Sequence, residues 1–160
     1  MCGLFAIRGE KVMSEFSDLG RDLCKRTLVN LEFIDNAKRK GEEVYETTQL
    51  FNSLLGIVVN ADELLNTKGI FNREKIILIK DEWRIPVNTY ENGKQDKNLK
   101  DFIAHLRNCT AHVNVNFEKD DSAEIKYVHF EATRSKVSYD FEVEDLRIFL
   151  KKLCEFVLEH

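Results

Sequence analysis

The sequence predicts a mainly helical fold in which a short antiparallel β-meander separates the third long helix from the last one. Apolar residues recur at intervals of three and four in four segments, and between residues 113 and 143 they alternate with polar ones instead. The chain has 160 residues, of which 43% are hydrophobic and 32% are charged, enough to bury a core of its own. We therefore expect residues 1–157 to form one domain, with residues 1–13 as an N-terminal extension outside its core.

The first predicted helix covers residues 14–39, and the second runs from about residue 42 to residue 59 or beyond. Basic residues and Gly41 follow the apolar stripe of the first helix, and both suit the C-terminal end of a helix. The second helix becomes apolar almost all round in its C-terminal half, which predicts burial between helices or at a subunit interface. The basic cluster at residues 38–40 could contact RNA, although a solvated helix end is the simpler interpretation.

The segment between residues 61 and 95 has the weakest pattern. Its apolar run Ile76–Ile79 fits either a helix or a strand. Residues 81–93 contain the only tryptophan, the only proline and an Asn-Gly pair, which together predict a loop with turns.

Three alternating runs after residue 112 predict an antiparallel meander with one face covered. The apolar members of these runs are Val113, Val115, Phe117, Ile125, Tyr127, Val128, Phe130, Val137, Tyr139, Phe141 and Val143. Because Tyr127 and Val128 are adjacent in the chain, a bulge or register change is expected between them. Turns are predicted at residues 119–123 and 133–135, and a last helix at residues 144–157.

The third long helix, residues 99–112, combines a buried face with a dense polar cluster. Its apolar face has the i, i+3, i+4, i+7 spacing and consists of Leu99, Phe102, Ile103 and Leu106. The polar cluster consists of His105, Arg107, Asn108, Cys109, Thr110 and His112. A surface helix does not need this combination for solubility, so it is the first candidate site in the chain.

Helix geometry separates the members of this cluster. An α-helix turns about 100° per residue, so His105 and His112 lie about 20° apart around the axis, two turns distant. Asn108 lies about 60° from His105 on the same side, whereas Arg107 and His112 lie about 140° apart. Two side chains so placed cannot easily hold one small group. Either the helix unwinds near Cys109, or Arg107 and His112 meet groups from a second copy of the chain.

Residues 107–112, RNCTAH, resemble the R-polar-x-x-x-H motif of HEPN (higher eukaryotes and prokaryotes nucleotide-binding) domains. Asn108 matches the polar residue after the arginine, and Ala111 matches the small residue common before the histidine. The resemblance covers roughly residues 15–157 and is closest to a plasmid-associated subgroup in which strands follow the motif helix. It implies a HEPN-like helical bundle, a homodimer and, in many relatives, a metal-independent endoribonuclease that acts as a toxin or defence component. RNA and an antitoxin or another protein would then be its partners.

Cleaving RNA without a metal requires attack by a 2′-hydroxyl on the adjacent phosphorus, with a base and an acid to move protons. Histidine can transfer protons near neutral pH, and arginine binds phosphate through a planar, permanently charged group. The hypothesis is that His112 is the general acid or base and that Arg107 stabilises the phosphate charge. Asn108 would orient the reacting groups by a hydrogen bond to the phosphate or to an imidazole. His105 is a secondary candidate that is expected to pack rather than react. No cofactor is expected.

Two other interpretations stay open. Arg107 could pair with an acidic neighbour while His112 caps the helix, which would give a catalytically inactive HEPN-like module for binding nucleotide, RNA or protein. Alternatively, His105, Cys109 and His112 lie within about 60° of one another around the helix and could bind a metal. A closed zinc site needs four ligands, however, and no other Cys or His pair has matching spacing.

Composition narrows the function classes. The formal net charge of −4 argues against a general nucleic-acid coat and mildly favours the inactive module, so a nuclease would need a local basic patch. Four widely spaced cysteines without a recognisable signal peptide predict a reduced, cytoplasmic protein, and the longest apolar run is too short to span a membrane.

The opening MCGLFAI resembles the start of N-terminal-nucleophile glutamine amidotransferases, but the later motifs of that class are missing. Residues 158–160 match the start of a vector-encoded histidine tag.

Overall fold

The computed structural model describes residues 19–60, 75–86, 89–90, 96–112, 114–122, 124–134 and 136–160. Within these ranges the helices are α1 (Leu19–Arg39), α2 (Glu46–Val59), α3 (Ile76–Ile79), α4 (Leu99–Ala111) and α5 (Val143–Glu159). The strands are β1 (Thr89–Tyr90), β2 (Val115–Lys119), β3 (Ile125–Ala132) and β4 (Val137–Glu142). The fold is mainly helical, with β2, β3 and β4 as a short antiparallel meander between α4 and α5, as the sequence predicts.

α1 and α2 end where the sequence predicts, at Arg39 and Val59. The turn after α1 contains Gly41 at a positive φ of 78°, a conformation that often follows a helix and that side chains disfavour. α2 begins at Glu46 rather than at residue 42, so its predicted start is wrong by about one turn. A tertiary contact marks the observed start, because the Glu46 carboxylate accepts a hydrogen bond from Arg147 of α5. The predicted start of α1 at residue 14 lies outside the described residues.

The described strands form one sheet in the order β1-β4-β3-β2, and each neighbouring pair is antiparallel. β1 corrects the prediction of a loop over residues 81–93, because Thr89 and Tyr90 pair with Ser138 and Val137 of β4. Two residues are too few to show an alternating pattern, so only the pairing with β4 defines this strand. The run Ile76–Ile79, which fits helix or strand by its sequence, is a helix.

The register of β2 against β3 changes close to the predicted place. Glu118 is opposite Tyr127 and Lys119 is opposite Ile125, which leaves Lys126 as the extra residue of a bulge. The predicted position, between Tyr127 and the next residue, is therefore too far along the chain. Tyr127 and its neighbour simply face opposite sides of a regular strand, one half-buried and the other buried. The described turn residues 121–122 and 133–134 fall in the two predicted turns.

The motif helix α4 is fixed between the sheet and other helices. α4 lies against α2 and β3, and α5 lies against α1, β3 and β4. The buried side chains of the sheet are Val128, Phe130, Ala132, Val137, Tyr139 and Phe141. Phe102 of α4 packs edge-on against Tyr139, with ring centroids 5.0 Å apart, and against Phe149 of α5 at 5.3 Å. None of the described helices has the length and apolar character needed to cross a bilayer.

Candidate active site

α4 presents the predicted motif on an unbroken helix. Asn98 caps its start, since the Asn98 side-chain oxygen accepts a hydrogen bond from the Asp101 backbone N–H at 2.9 Å. The helix continues through Cys109, and His112 is its C-cap residue. The backbone N–H of His112 donates to the Asn108 carbonyl at 3.3 Å. Unwinding near Cys109, one of the two alternatives that the sequence left, is therefore wrong.

The predicted site residues lie on the outer side of α4. Its buried residues are Leu99, Phe102, Ile103, Leu106, Cys109 and Thr110. Arg107 and Asn108 are half-buried and His112 is exposed, so none of these three is enclosed in the core. The buried Thr110 hydroxyl donates to the Arg107 carbonyl at 2.9 Å and is thereby satisfied within the helix.

One copy of the chain does not bring Arg107 and His112 together. On the unbroken helix the two side chains leave the axis about 140° apart. His105, Asn108 and His112, in contrast, lie within about 60° of one another, and we call these three residues the histidine stripe. The structure therefore groups His112 with Asn108 and His105 and places Arg107 at the opposite border of the outer side.

The turn between β3 and β4 is joined to the C-terminal end of α4. The backbone N–H of Asn114 donates to the Cys109 carbonyl at 3.0 Å, and the Asn114 side-chain amide donates to the Thr133 hydroxyl at 2.9 Å. Arg134 and Lys136 follow in this turn, and both are exposed. Two cations thus lie in the turn that is hydrogen-bonded to the end of the motif helix. Sequence reasoning did not single out these two cations, because the only signal for them is their position in a predicted turn.

His105 is held by a buried carboxylate, a contact that the sequence does not predict. Its Nδ1 atom lies 2.9 Å from Oδ1 of Asp96, whose side chain is only 2% exposed. The other carboxylate oxygen, Oδ2, accepts a hydrogen bond from the Tyr139 hydroxyl at 2.6 Å. Asp96 escapes sequence reasoning because it precedes the helix and shares no helical period with His105.

Most of the chain matches a known family of protein domains. A family model described as HEPN pEK499 p136 matches residues 13–160. The chain belongs to the HEPN family. This match confirms the resemblance to the HEPN family and its plasmid-associated type. No curated protein and no solved structure matches the chain.

Family membership bears on both assembly and function. HEPN domains generally dimerise, and membership supports a HEPN-type nuclease or RNA-binding module. A dimer would supply the second copy that the separation of Arg107 from His112 calls for.

This HEPN domain does not gather His105, Cys109 and His112 into a metal site. Cys109 is fully buried in the core, whereas His112 is exposed at the end of the helix. Across the described ranges, no three His, Cys, Asp or Glu side chains are grouped so that they could hold a metal ion. Burial also raises the pKa of the Cys109 thiol to about 12, which disfavours the thiolate that a metal would bind.

The three cysteines described in the HEPN domain are expected to be unreactive while it is folded. Cys24, Cys109 and Cys154 are fully buried. Burial raises the pKa of Cys109, and a hydrogen bond with Cys24, together with burial, raises that of Cys154. In a Cys2→Ser variant, DTNB should label almost none of these thiols at mildly alkaline pH and all of them in concentrated urea. Rapid labelling of a thiol in the folded protein would contradict its burial.

Proposed function

We propose that this HEPN domain is a metal-independent endoribonuclease that cleaves RNA by attack of a 2′-hydroxyl on the neighbouring phosphorus. The observation that carries the proposal is the division of the motif between surface and core. Arg107, Asn108 and His112 border the outer side of α4, whereas Cys109 and Thr110 between them are buried. The core therefore explains Cys109 and Thr110, whereas the guanidinium and the imidazole of the motif belong to a helix side that lies outside the core.

Each surface residue of the motif has a distinct role in this proposal. His112 transfers a proton, because an imidazole can act as acid or base near neutral pH. Arg107 stabilises the charge on the phosphoryl oxygens through its planar, permanently charged guanidinium. Asn108 orients the substrate, because its amide can donate a hydrogen bond to a phosphate oxygen.

The proposal includes a homodimer because one copy cannot supply the whole site. Ala104 and Ala111 lie on the outer side of α4 between Arg107 and the histidine stripe, and such small side chains let a second helix approach closely. When two α4 helices face each other across a two-fold axis, Arg107 can face the partner subunit's His112. The same contact then repeats on the other side of the axis, and the dimer has two equivalent composite sites.

Binding RNA to an acidic protein requires local positive charge, since the formal net charge of the chain is −4. Arg107 supplies one cation on the outer side of α4. Arg134 and Lys136 supply two more in the turn that Asn114 joins to the end of this helix. We assign contacts with the RNA backbone to these three residues.

The proposed biological role is that of a toxin or defence component in the cytoplasm, where RNA is the substrate. A cell that makes such an enzyme must restrain it, so the proposal includes an antitoxin or another protein as a partner. This role is supported by membership of the HEPN family alone.

A second candidate function is a catalytically inactive HEPN-like module that binds nucleotide, RNA or protein. The net charge of −4 favours this candidate, because it weakens the general attraction between the chain and a polyanion. The two candidates differ in whether bound RNA is cut.

Cleavage of a labelled single-stranded RNA in the presence of EDTA tests the proposed function. We expect the wild type to cut, and Arg107→Ala and His112→Ala each to lower the rate about 10²–10⁴-fold without changing helix content or dimer mass. Lys25→Ala and His129→Ala are the matched controls, because these residues lie outside α4, on α1 and on β3. Both controls should cut at the wild-type rate.

Three outcomes would contradict the proposal in different ways. A wild-type rate in the His112→Ala variant would remove His112 from the mechanism. A wild-type protein that binds RNA without cutting it would favour the inactive module. Loss of cleavage on addition of EDTA would contradict metal independence.

A further inference from the structure

The sheet fixes the carboxylate of Asp96, and this carboxylate fixes the imidazole of His105. The Asp96 side chain is 2% exposed and the His105 side chain is 20% exposed, with Oδ1 and Nδ1 2.9 Å apart. Oδ2 of Asp96 accepts the hydrogen bond from Tyr139 of β4 at 2.6 Å. Tyr139 is fully buried and packs edge-on against Phe102 of α4. The His105 ring is therefore oriented by Asp96 just before α4, and Asp96 is in turn held by Tyr139 of β4, which lies in the core.

This arrangement determines which nitrogen of His105 can take up a proton. An ionised carboxylate only accepts hydrogen bonds, so Nδ1 must carry the hydrogen, and Nε2 of the neutral ring then has the lone pair. Burying a carboxylate is costly unless the carboxylate is hydrogen-bonded. Both oxygens of Asp96 have a hydrogen-bond partner, which offsets this cost. The pair His129–Asp140 differs, because the Asp140 side chain is 72% exposed, as in an ordinary surface pair.

The histidine stripe has a spacing that fits one phosphodiester. His105 and His112 are seven residues apart, which is about 10.5 Å along the axis, and Asn108 lies between them. In an in-line displacement at phosphorus, the attacking and leaving oxygens lie on opposite sides of the phosphorus atom. A base and an acid must therefore approach from opposite sides, as two imidazoles two turns apart can.

We propose that His105 is the general base of this site and His112 its general acid, with Asp96 and Tyr139 as positioning residues. The inference rests on the proposed RNA cleavage and divides the proton transfers between two histidines. Nε2 of His105 takes the proton of the 2′-hydroxyl while the 2′-oxygen bonds to phosphorus. The bond from phosphorus to the 5′-oxygen breaks, and the 5′-oxygen takes a proton from His112. The products are a 2′,3′-cyclic phosphate and a 5′-hydroxyl, and proton exchange with water restores both histidines.

The chemistry of the leaving group distinguishes the two roles. One dinucleotide substrate has the natural 5′-oxygen, and the other has sulfur in its place, which leaves as a thiolate without needing a proton. On the natural substrate, His105→Ala and His112→Ala should each be slower than wild type by about 10²–10⁴-fold. On the sulfur substrate, His112→Ala should return to within about tenfold of wild type, while His105→Ala should stay slow because the 2′-hydroxyl must still lose its proton. His129→Ala is the matched control on both substrates.

Substitutions at the two positioning residues test the rest of the inference. The amide of Asp96→Asn can donate to Nδ1 and so favours the wrong tautomer, which should lower kcat by roughly 10–100-fold and leave KM near the wild-type value. Tyr139→Phe removes one hydrogen bond from the carboxylate and should lower kcat by a smaller factor. Asp140→Asn is the matched control. A merely structural role would lower the melting temperature without this split between kcat and KM, and a wild-type kcat in Asp96→Asn would overturn the positioning role.

The remaining outcomes separate failure of this inference from failure of the proposed function. Wild-type cleavage by His105→Ala, with His112→Ala inactive, would overturn the base assignment alone. Recovery of His105→Ala on the sulfur substrate would reverse the two roles and overturn it as well. A wild-type protein that cuts neither substrate would refute the proposed function itself. If alanine at residue 105 prevents folding, the His105→Gln variant is used instead. Glutamine keeps a hydrogen-bond donor for Asp96 but has no titratable ring.

Discussion

Mixing the Arg107→Ala and His112→Ala variants is expected to restore about one quarter of wild-type RNA cleavage, although each variant alone is inactive. The unbroken α4 helix keeps Arg107 and His112 of one copy apart. In the proposed dimer, a working site combines Arg107 of one copy with the partner subunit's His112. A mixed dimer contains one site with both residues intact and one site with neither. Random exchange makes about half of the dimers mixed, and each of these has half of its sites active.

The measurement uses two tagged variants that are co-expressed or exchanged, with the fraction of mixed dimer determined before the RNA assay. A mixture of His105→Ala and His112→Ala is the matched control, because both histidines belong to the same stripe of one copy. This second mixture should stay inactive. If the arginine and histidine variants do not complement each other in a verified mixed dimer, the composite site is wrong and each copy would have to act alone.

Replacing Arg147 by methionine is expected to lower the free energy of unfolding by about 2–3 kcal/mol. Arg147 of α5 is only 6% exposed, and its guanidinium donates to Asp35 of α1 and to Glu46 of α2. Methionine can pack in its place but removes the cation that the two carboxylates share. Among the described residues, Asp35 then keeps only Lys151 and Glu46 keeps only Lys38 as a cationic partner. The side chains of Asp35 and Glu46, which are 25% and 18% exposed, would keep their charge in a partly buried position. One guanidinium therefore joins three helices.

Urea denaturation at neutral pH measures this loss, and Lys152→Met is its matched control on the same helix. Lys152 pairs with Glu82 at 2.9 Å, but both side chains are more than a third exposed. Such surface pairs contribute no more than about 1 kcal/mol. Equal losses in the two variants would contradict the role given to Arg147. Adding Asp35→Leu and Glu46→Leu to Arg147→Met should recover part of the lost stability, because the two partly buried carboxylates are then removed together with the guanidinium.

The same cluster gives the prediction a pH dependence. Burial on its own raises the pKa of Asp35, but the hydrogen bonds and charges of Arg147 and, to a smaller extent, Lys151 outweigh it, and the pKa lies below its ordinary value of 3.8. A carboxyl whose pKa falls on folding adds stability above the ordinary value, and this contribution is lost as the pH drops through the lower, folded value. The difference between wild type and Arg147→Met should therefore shrink below about pH 4.

Local signals in the sequence predict the helices well, and long-range contacts account for the differences. The end of α1 follows from the basic residues and Gly41 that come after its apolar stripe. The start of α2 at Glu46 does not, because it coincides with a bond to Arg147, about a hundred residues away. β1 is likewise defined by its pairing with β4. No pattern within a short window can report a partner that lies elsewhere in the chain.

The candidate site divides in the same way. Helical geometry alone predicts that Arg107 and His112 leave α4 on different sides, and the unbroken helix keeps that geometry. The same geometry suggests a metal site with Cys109, but Cys109 follows Phe102 by seven residues and therefore lies on the buried side of α4. The contact of His105 with Asp96 joins the helix to the segment before it, so the periodicity of α4 contains no sign of it.

The bulge at Lys126 has a consequence for how the molecule behaves at high concentration. β2 forms one edge of the described sheet, and an open edge invites strands from other molecules. Here the edge is short, it ends in the charged residues Glu118 and Lys119, and the bulge opposite them twists it. These features discourage the growth of intermolecular sheets and fibres. A two-fold contact through α4, in contrast, covers its own surface and stops at two subunits.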